Sequence, residues 1–231
     1  MIPRYHIRLI LFFLILESFP IALQGQNQVN ERVSAHSPED DYSFVNGWEY
    51  RIKTATSGTP FLQSNEWKTG KLFCDAGTFG NLMMNYDIFQ DVLVIQQNID
   101  GKPCIVALNP LFIHDFWLSG YHFRNIRDTG NKTTGGFYEV IYNGKIQILR
   151  KWKKKIIDEN VINGSCFRTE QRIFILHENK LVPVRRRISI LNCFPDHVKD
   201  ISGYCSAHGI HPRTAGNDNW KALGFFIDQL P

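Results

Sequence analysis

From about residue 48 to about residue 184, apolar positions come in short stretches broken by Gly, Asn, Asp or Pro roughly every ten residues, the pattern of antiparallel β-structure. Four strands follow one another at Lys71-Leu72-Phe73-Cys74, Leu82-Met83-Met84-Asn85-Tyr86, Val92-Leu93-Val94-Ile95-Gln96 and Cys104-Ile105-Val106-Ala107-Leu108. Asp100-Gly101 suits the positive φ angles of a tight turn, so the third and fourth of these should pair as a hairpin. Asn143-Gly144 predicts a second tight hairpin, between residues 136–142 and 145–150. In 136–142, Phe137, Glu139 and Ile141 point one way and Tyr138, Val140 and Tyr142 the other, so both faces should be at least partly covered. A further pair, at about 166–176 and 180–184, is joined by His177-Glu178-Asn179. These hairpins leave no room for crossover helices, so a meander of eight to ten strands is expected, as a curled sheet or a partly closed barrel.

Past residue 184 the period changes. Val198, Ile201 and Cys205, then Trp220, Leu223, Ile227 and Leu230, recur at helical spacing and predict helices within 196–208 and 218–230. Pro195 can open the first and Gly209 close it, and 185–191 reads as a short helix leading in. The expected class is mainly β with a helical C-terminus, α+β, with two or three helices after the sheet.

The N-terminus has a pattern of its own. Arg4, His6 and Arg8 precede an unbroken apolar run from Leu9 to Leu16, which Glu17, Ser18 and Pro20 close. That is the n-region and h-region of a secretory signal peptide, far short of the roughly 20 apolar residues a membrane-spanning helix needs. Gly25 is the best cleavage point, with Ala22 second. Residues 26–45 are polar, include Glu39-Asp40-Asp41 and read as a flexible lead-in. The expected organisation is a signal peptide at 1–25, the lead-in at 26–45, an antiparallel β domain at 46–184 and a helical segment at 185–231 packed on it. The mature product is expected to be exported, periplasmic or extracellular or peripheral to the outer membrane, with no transmembrane segment.

Composition adds limits. A chain of 231 residues with 43% hydrophobic content can bury a core without a metal or disulfide staple. The net charge of +4 falls by one when Arg4, Arg8 and Glu17 leave with the signal peptide, too mild an excess to imply nucleic acid. Five cysteines is an odd number at wide, irregular spacings, so an oxidising compartment leaves at least one free thiol. Cys74 and Cys104 lie in strand patterns and read as buried thiols.

Four groups of residues could carry chemistry. The tail holds Cys193, His197, Cys205, His208 and His211, of which Cys205, His208 and His211 are the best candidate metal ligands, for zinc. The competing reading is a buried cysteine on an amphipathic helix with histidines nearby, and no cofactor is expected. Phe112, His114, Phe116, Trp117, Tyr121 and His122 crowd one segment, as the lining of a small apolar cavity or as packed core. Lys151-Trp152-Lys153-Lys154-Lys155 and Arg185-Arg186-Arg187 offer cations for an anionic glycan or a membrane surface, or form a solvated strand edge. A cysteine meeting His114, His122 or His177 would make a nucleophile and base. Yet GxSxG, HExxH, GxxxxGK[ST] and GxGxxG are all absent, so no catalytic residue is assigned. Asn131-Lys132-Thr133 and Asn163-Gly164-Ser165 fit the N-glycosylation pattern.

Gly58-Thr59-Pro60-Phe61-Leu62, Trp67-Lys68-Thr69-Gly70-Lys71 and Asn85-Tyr86-Asp87-Ile88 with Asp91-Val92-Leu93 resemble blocks of uncharacterised secreted proteins of Bacteroidetes-type bacteria. Gly136-Phe137-Tyr138-Glu139-Val140, Phe194-Pro195-Asp196 and residues 223–230 are similar to later blocks of that group. The resemblance implies an exported β-rich domain with a helical C-terminus and carries no catalytic residues. The expected function is non-enzymatic binding in the cell envelope, of a partner protein or a small apolar ligand. The alternatives are an envelope enzyme with a cysteine or zinc centre in the tail and a structural accessory subunit of an envelope complex.

Overall fold

The computed structural model describes residues 47–99, 101–127, 135–160 and 164–231. The expected signal peptide and lead-in, Asp100, the Asn131 sequon and Asn163 lie outside the described residues. The described strands are β1 (Gly47–Glu49), β2 (Lys68–Cys74), β3 (Gly77–Asp87), β4 (Val92–Ile99), β5 (Lys102–Leu108), β6 (Ile113–Leu118), β7 (Tyr121–Ile126), β8 (Gly136–Asn143), β9 (Gln147–Asn160), β10 (Gly164–His177) and β11 (Lys180–Val184). They form one antiparallel sheet in the order β1-β5-β4-β3-β2-β6-β7-β8-β9-β10-β11. The class is mainly β with C-terminal helices, and the sheet is curled and not closed.

The strand order shows two meanders laid back to back. The chain runs outward from β2 to β5, returns to the free edge of β2 as β6, and then runs outward the other way to β11. In a flat sheet the return would cross four strand spacings, ~19 Å. Five extended steps reach only ~18 Å, and the 3₁₀ turn at Pro110–Phe112 shortens that. The short return is therefore possible only because the sheet curls. Inside the curl, Leu72, Met84, Tyr86, Leu93, Phe116, Phe123 and Phe137 are buried as one cluster. Phe116 and Phe123 stack at 4.7 Å, and the Tyr86 ring meets both edge-on. Burying each such side chain stabilises the fold by roughly 1.5–3 kcal/mol.

The second half of the sheet is covered by helices α1 (Arg187–Leu191), α2 (Val198–Ala207) and α3 (Asn217–Asp228). Ile148, Ile173 and Ile175 of the sheet pack there with Ile190, Ile201, Cys205, Trp220, Leu223 and Ile227. Gly224 lets α3 lie flat on β8, since a Cβ there would stand 2.4 Å from the Tyr142 ring.

Turn chemistry explains which hairpins the sequence announces. Glu178 and Asn179 both take positive φ (49° and 59°), and Leu176 pairs with Leu181, as the His177-Glu178-Asn179 junction predicts. At Asn143-Gly144 the pairing is right and the turn is different: Asn143 pairs with Gln147, so three residues form the loop. Asp228 at the end of α3 holds that loop, accepting from Lys145 N at 2.8 Å and Ile146 N at 3.2 Å. The β6–β7 hairpin turns on Ser119 (φ 53°) and Gly120 (φ 80°), a Ser-Gly signal easily lost among the aromatics. With β1, it carries the strand number above the expected eight to ten.

Strands β9 and β10 outrun their neighbours. Each is 14 residues long, whereas β8 pairs with β9 only as far as Arg150 and β11 pairs with β10 only from Ile173. The projecting arm is clasped by residues 57–61: Ser57 bridges Cys166, and the Lys154 ammonium donates to the carbonyls of Thr59 (2.8 Å) and Phe61. Lys154 is 6% exposed, so this lysine belongs to the interior and not to a solvated edge. Its burial lowers its pKa, with Asp87 pulling the other way.

Candidate functional site

The six aromatic and histidine positions of the central segment are sent to different faces. Phe116 lies in the core and Tyr121 packs against it, while Trp117 and His122 stack on the opposite face at 4.5 Å and 6°. His114 approaches Asp75 (2.6 Å) beside Phe73, and Phe112 is exposed. Strand alternation divides them, because Trp117 pairs with His122 and Phe116 with Phe123. The outer group is saturated within itself. His122 Nε2 lies 2.6 Å from Asp115 Oδ1, the same oxygen accepts from Arg124 Nε at 3.0 Å, and Lys71 sits over the Trp117 ring.

The tail residues are likewise kept apart. Cys205 is fully buried under the helices, His208 stacks on Tyr204 with Nδ1 donating to the Tyr204 carbonyl at 3.0 Å, and His211 is exposed in the turn beyond Gly209. Among the described residues no three His, Cys, Asp or Glu side chains come together as metal ligands. Cys74 is buried and Cys104 half-buried. Burial pushes the thiols of Cys74, Cys193 and Cys205 up, the opposite direction from an activated nucleophile.

What the fold does assemble is a basic wall along β9 and β10. Directly paired residues share a face, so Lys151 and Lys153 of β9 stand beside Arg172 and Glu170 of β10, while Arg150 and Trp152 stand on the other face with Ile173 and Gln171. Two clefts flank this wall and share Arg172. One, of about 440 Å³, is lined by Arg150, Gln171, Arg172, Arg185 and Arg213 together with Pro212 and other residues. The second, also about 440 Å³, lies under the β3–β4 turn and is lined by Asp91, Lys151, Trp152, Lys153, Lys155 and Glu170, among others.

The charges in these clefts are unequally compensated. Lys151 donates to Asp91 at 2.6 Å and lies 4.7 Å from the centre of the Tyr138 ring. Its burial lowers its pKa, opposed by Asp91. Lys155 donates to Glu170 at 2.9 Å. Arg150 is held on β9 by Glu139, whose Oε2 accepts from Arg150 Nη1 (3.2 Å) and Trp152 Nε1 (2.7 Å), and by Asn217 at the start of α3. Arg150 Nε has no acceptor among the described residues. Lys153 faces Glu170, which already bonds Lys155, and Arg185 and Arg213 form no ion pair among the described residues, so cations outnumber carboxylates along the wall. Sequence reasoning found Lys151, Lys153, Lys155 and Arg185 as runs. It missed Arg213 and Arg172, which lie in no motif and reach the clefts only through the fold.

Comparison with family models, with curated proteins and with solved structures finds no match to this chain.

Proposed function

We propose that the chain is an exported, non-enzymatic binding protein of the cell envelope whose ligand is anionic and seats on the basic wall of β9 and β10. One observation carries this reading: the two clefts that share Arg172 present seven lysines and arginines against two carboxylates, and both carboxylates are already paired with lysines. Surplus charge of one sign in a concave surface raises the local concentration of oppositely charged ligands. It also replaces the small apolar ligand of the sequence reading, because the aromatic segment that suggested one fills the core or lies flat on the outer face.

The test uses the chain from residue 26 to 231 with dextran sulfate as anionic probe and neutral dextran as control. Binding to the sulfated polymer that weakens steeply between about 50 and 200 mM salt, and drops at least tenfold in a Lys153→Glu, Arg172→Glu variant, is the expected result. Equal binding of the two polymers, or an unaffected variant, overturns the reading.

A further inference from the structure

We infer that the exposed edge of β10 between the clasp and β11 is a docking slot for an extended acidic peptide of a partner protein, which adds to the sheet as a strand. The inference rests on the anionic-ligand reading and names the ligand's class.

Backbone hydrogen bonds fix which groups face outward. The clasp takes the Ser165 carbonyl and the Phe167 N–H, donating from Ser57 N (3.1 Å) and accepting at the Ser57 carbonyl (3.2 Å). Those groups therefore point away from β9. On the other side of the ladder, Lys154 N donates to the Ile88 carbonyl (3.0 Å) and so turns away from its partner Thr169. That places Thr169 in a pair whose backbone groups do not bond each other, with its own N–H and C=O facing outward. Both observations give the same parity, and no bulge interrupts β10 from Ser165 to His177. Thr169 and Gln171 thus present their N–H and C=O on the outer edge, and Ile173 does so where β11 takes over at Val184. Among the described residues no strand covers Thr169 and Gln171, and both are exposed.

The gap from Phe167 to Ile173 is six residue steps, ~20 Å, room for a strand of about five residues. An open edge of this kind offers main-chain hydrogen bonds to an extended peptide, while the side chains beside it set specificity. Here those side chains are cationic. Arg172 lies on the edge strand itself, and Arg185 and Arg213 line the cleft that opens against Gln171. Glu170, the acidic side chain within the gap, bonds Lys155 and is shared with Lys153 and Arg172, so one carboxylate stands against several cations and an acidic peptide meets net positive charge while a basic one does not.

The experiment measures binding of a blocked hexapeptide alternating glutamate and valine to the chain from residue 26 to 231. The same peptide N-methylated at alternate residues keeps every side chain and loses donors along one edge, so it tests the backbone without altering the protein. The expected result is saturable binding that weakens at least tenfold for the N-methylated peptide in one of its two registers and for Arg172→Gln. Gln171→Pro removes an outward N–H without touching the β9 ladder and should have the same effect. Equal binding of parent and both N-methylated peptides, or of a lysine–valine peptide, overturns the slot. If dextran sulfate still binds in an Arg172-dependent way while the peptide does not, the slot falls and the anionic reading stands. If neither probe binds, both fall.

Discussion

The outer face of β6 and β7 and the wall of β9 and β10 carry the same kinds of side chain, aromatic rings interleaved with cations and an occasional carboxylate. In the first, every charge is already answered: Asp115 serves His122 and Arg124, Lys71 lies over Trp117, and Arg124 reaches Asn143 and Gln147 as well. In the second, Arg185 and Arg213 form no ion pair among the described residues, and Glu170, which already bonds Lys155, is shared with the facing Lys153 and with Arg172. Cross-strand register explains the contrast. Lys71, Trp117 and His122 sit in one row across β2, β6 and β7, with Phe73, Asp115 and Arg124 in the next, so neighbours neutralise one another. On the arm, Lys151 faces Arg172 and Lys155 faces Arg168, pairs of like charges in register, and the carboxylate of that row, Glu170, faces Lys153 and bonds Lys155, so cations outnumber the anion that must answer them. A decorated surface becomes a candidate site when charge is left unspent, and not by the presence of rings and charges alone.

The contrast breaks most severely at the buried Arg150–Glu139 ion pair beneath the wall. Glu139→Ala strands Arg150 without its carboxylate, and losing one partner of a buried pair costs about 3–5 kcal/mol. Thermal unfolding should then begin on the order of 10 °C lower. If the melting temperature moves by no more than a degree or two, Arg150 is compensated by something other than Glu139.

Next in size is a reciprocal pair of charge reversals. Arg172→Glu with Arg185→Glu should weaken dextran sulfate binding at least tenfold while leaving the melting curve within about 2 °C of the parent. Arg124→Glu should do the opposite, leaving binding unchanged and costing about 1–2 kcal/mol of stability, because it places a carboxylate against Asp115. Matching effects from the two variants would erase the distinction between the patches.

Much of this was legible along the chain, and the rest was hidden by distance. His177-Glu178-Asn179 specified its own turn because the αL conformations of Glu178 and Asn179 are decided locally. Asn143-Gly144 carried an equally good signal and misled, because the loop is shaped by Asp228 more than 80 residues later. The lysine run was read as a strand end because nothing local reveals that β9 continues to Asn160 or that Lys154 has carbonyl partners before β2. Helical period gave α2 and α3 and even buried Cys205, yet placing Arg213 beside Arg172 takes the whole sheet and the loop between two helices. Local chemistry announces elements. A site made from four separate elements is announced only by the fold.

Two smaller effects sharpen the comparison. Trp117→Ala should cost about 1 kcal/mol through lost stacking and cation contact, without altering anion binding. For Asp115, burial acts against ionisation, but His122 and Arg124 outweigh it and hold the carboxyl below its ordinary value. A lowered folded pKa contributes stability above the unfolded value, about 3.9, and loses it as pH falls through the folded one. Asp115→Asn should therefore be less stable than the parent at pH 7, and the gap should close below about pH 4, as followed by urea unfolding across pH 2–7. A gap that stays constant over that range would mean that the Asp115 charge contributes nothing.

The clasp has a consequence in time. Residues 57–61 precede the Lys154 ammonium they receive by nearly a hundred positions, and the Ser165 backbone they bridge by slightly more. As the chain emerges from its N-terminus, β2 to β8 can curl around their aromatic core and Pro60 and Phe61 can join Ile88 and Asp87, while Ser57 and the Thr59 carbonyl still wait for their partners on β10 and β9. Closure waits for both long strands, so the arm should be the last part to become protected and, on unfolding, the first to open. A deuterium-exchange experiment would see that order as late protection of 164–172 against early protection of β3 and β6.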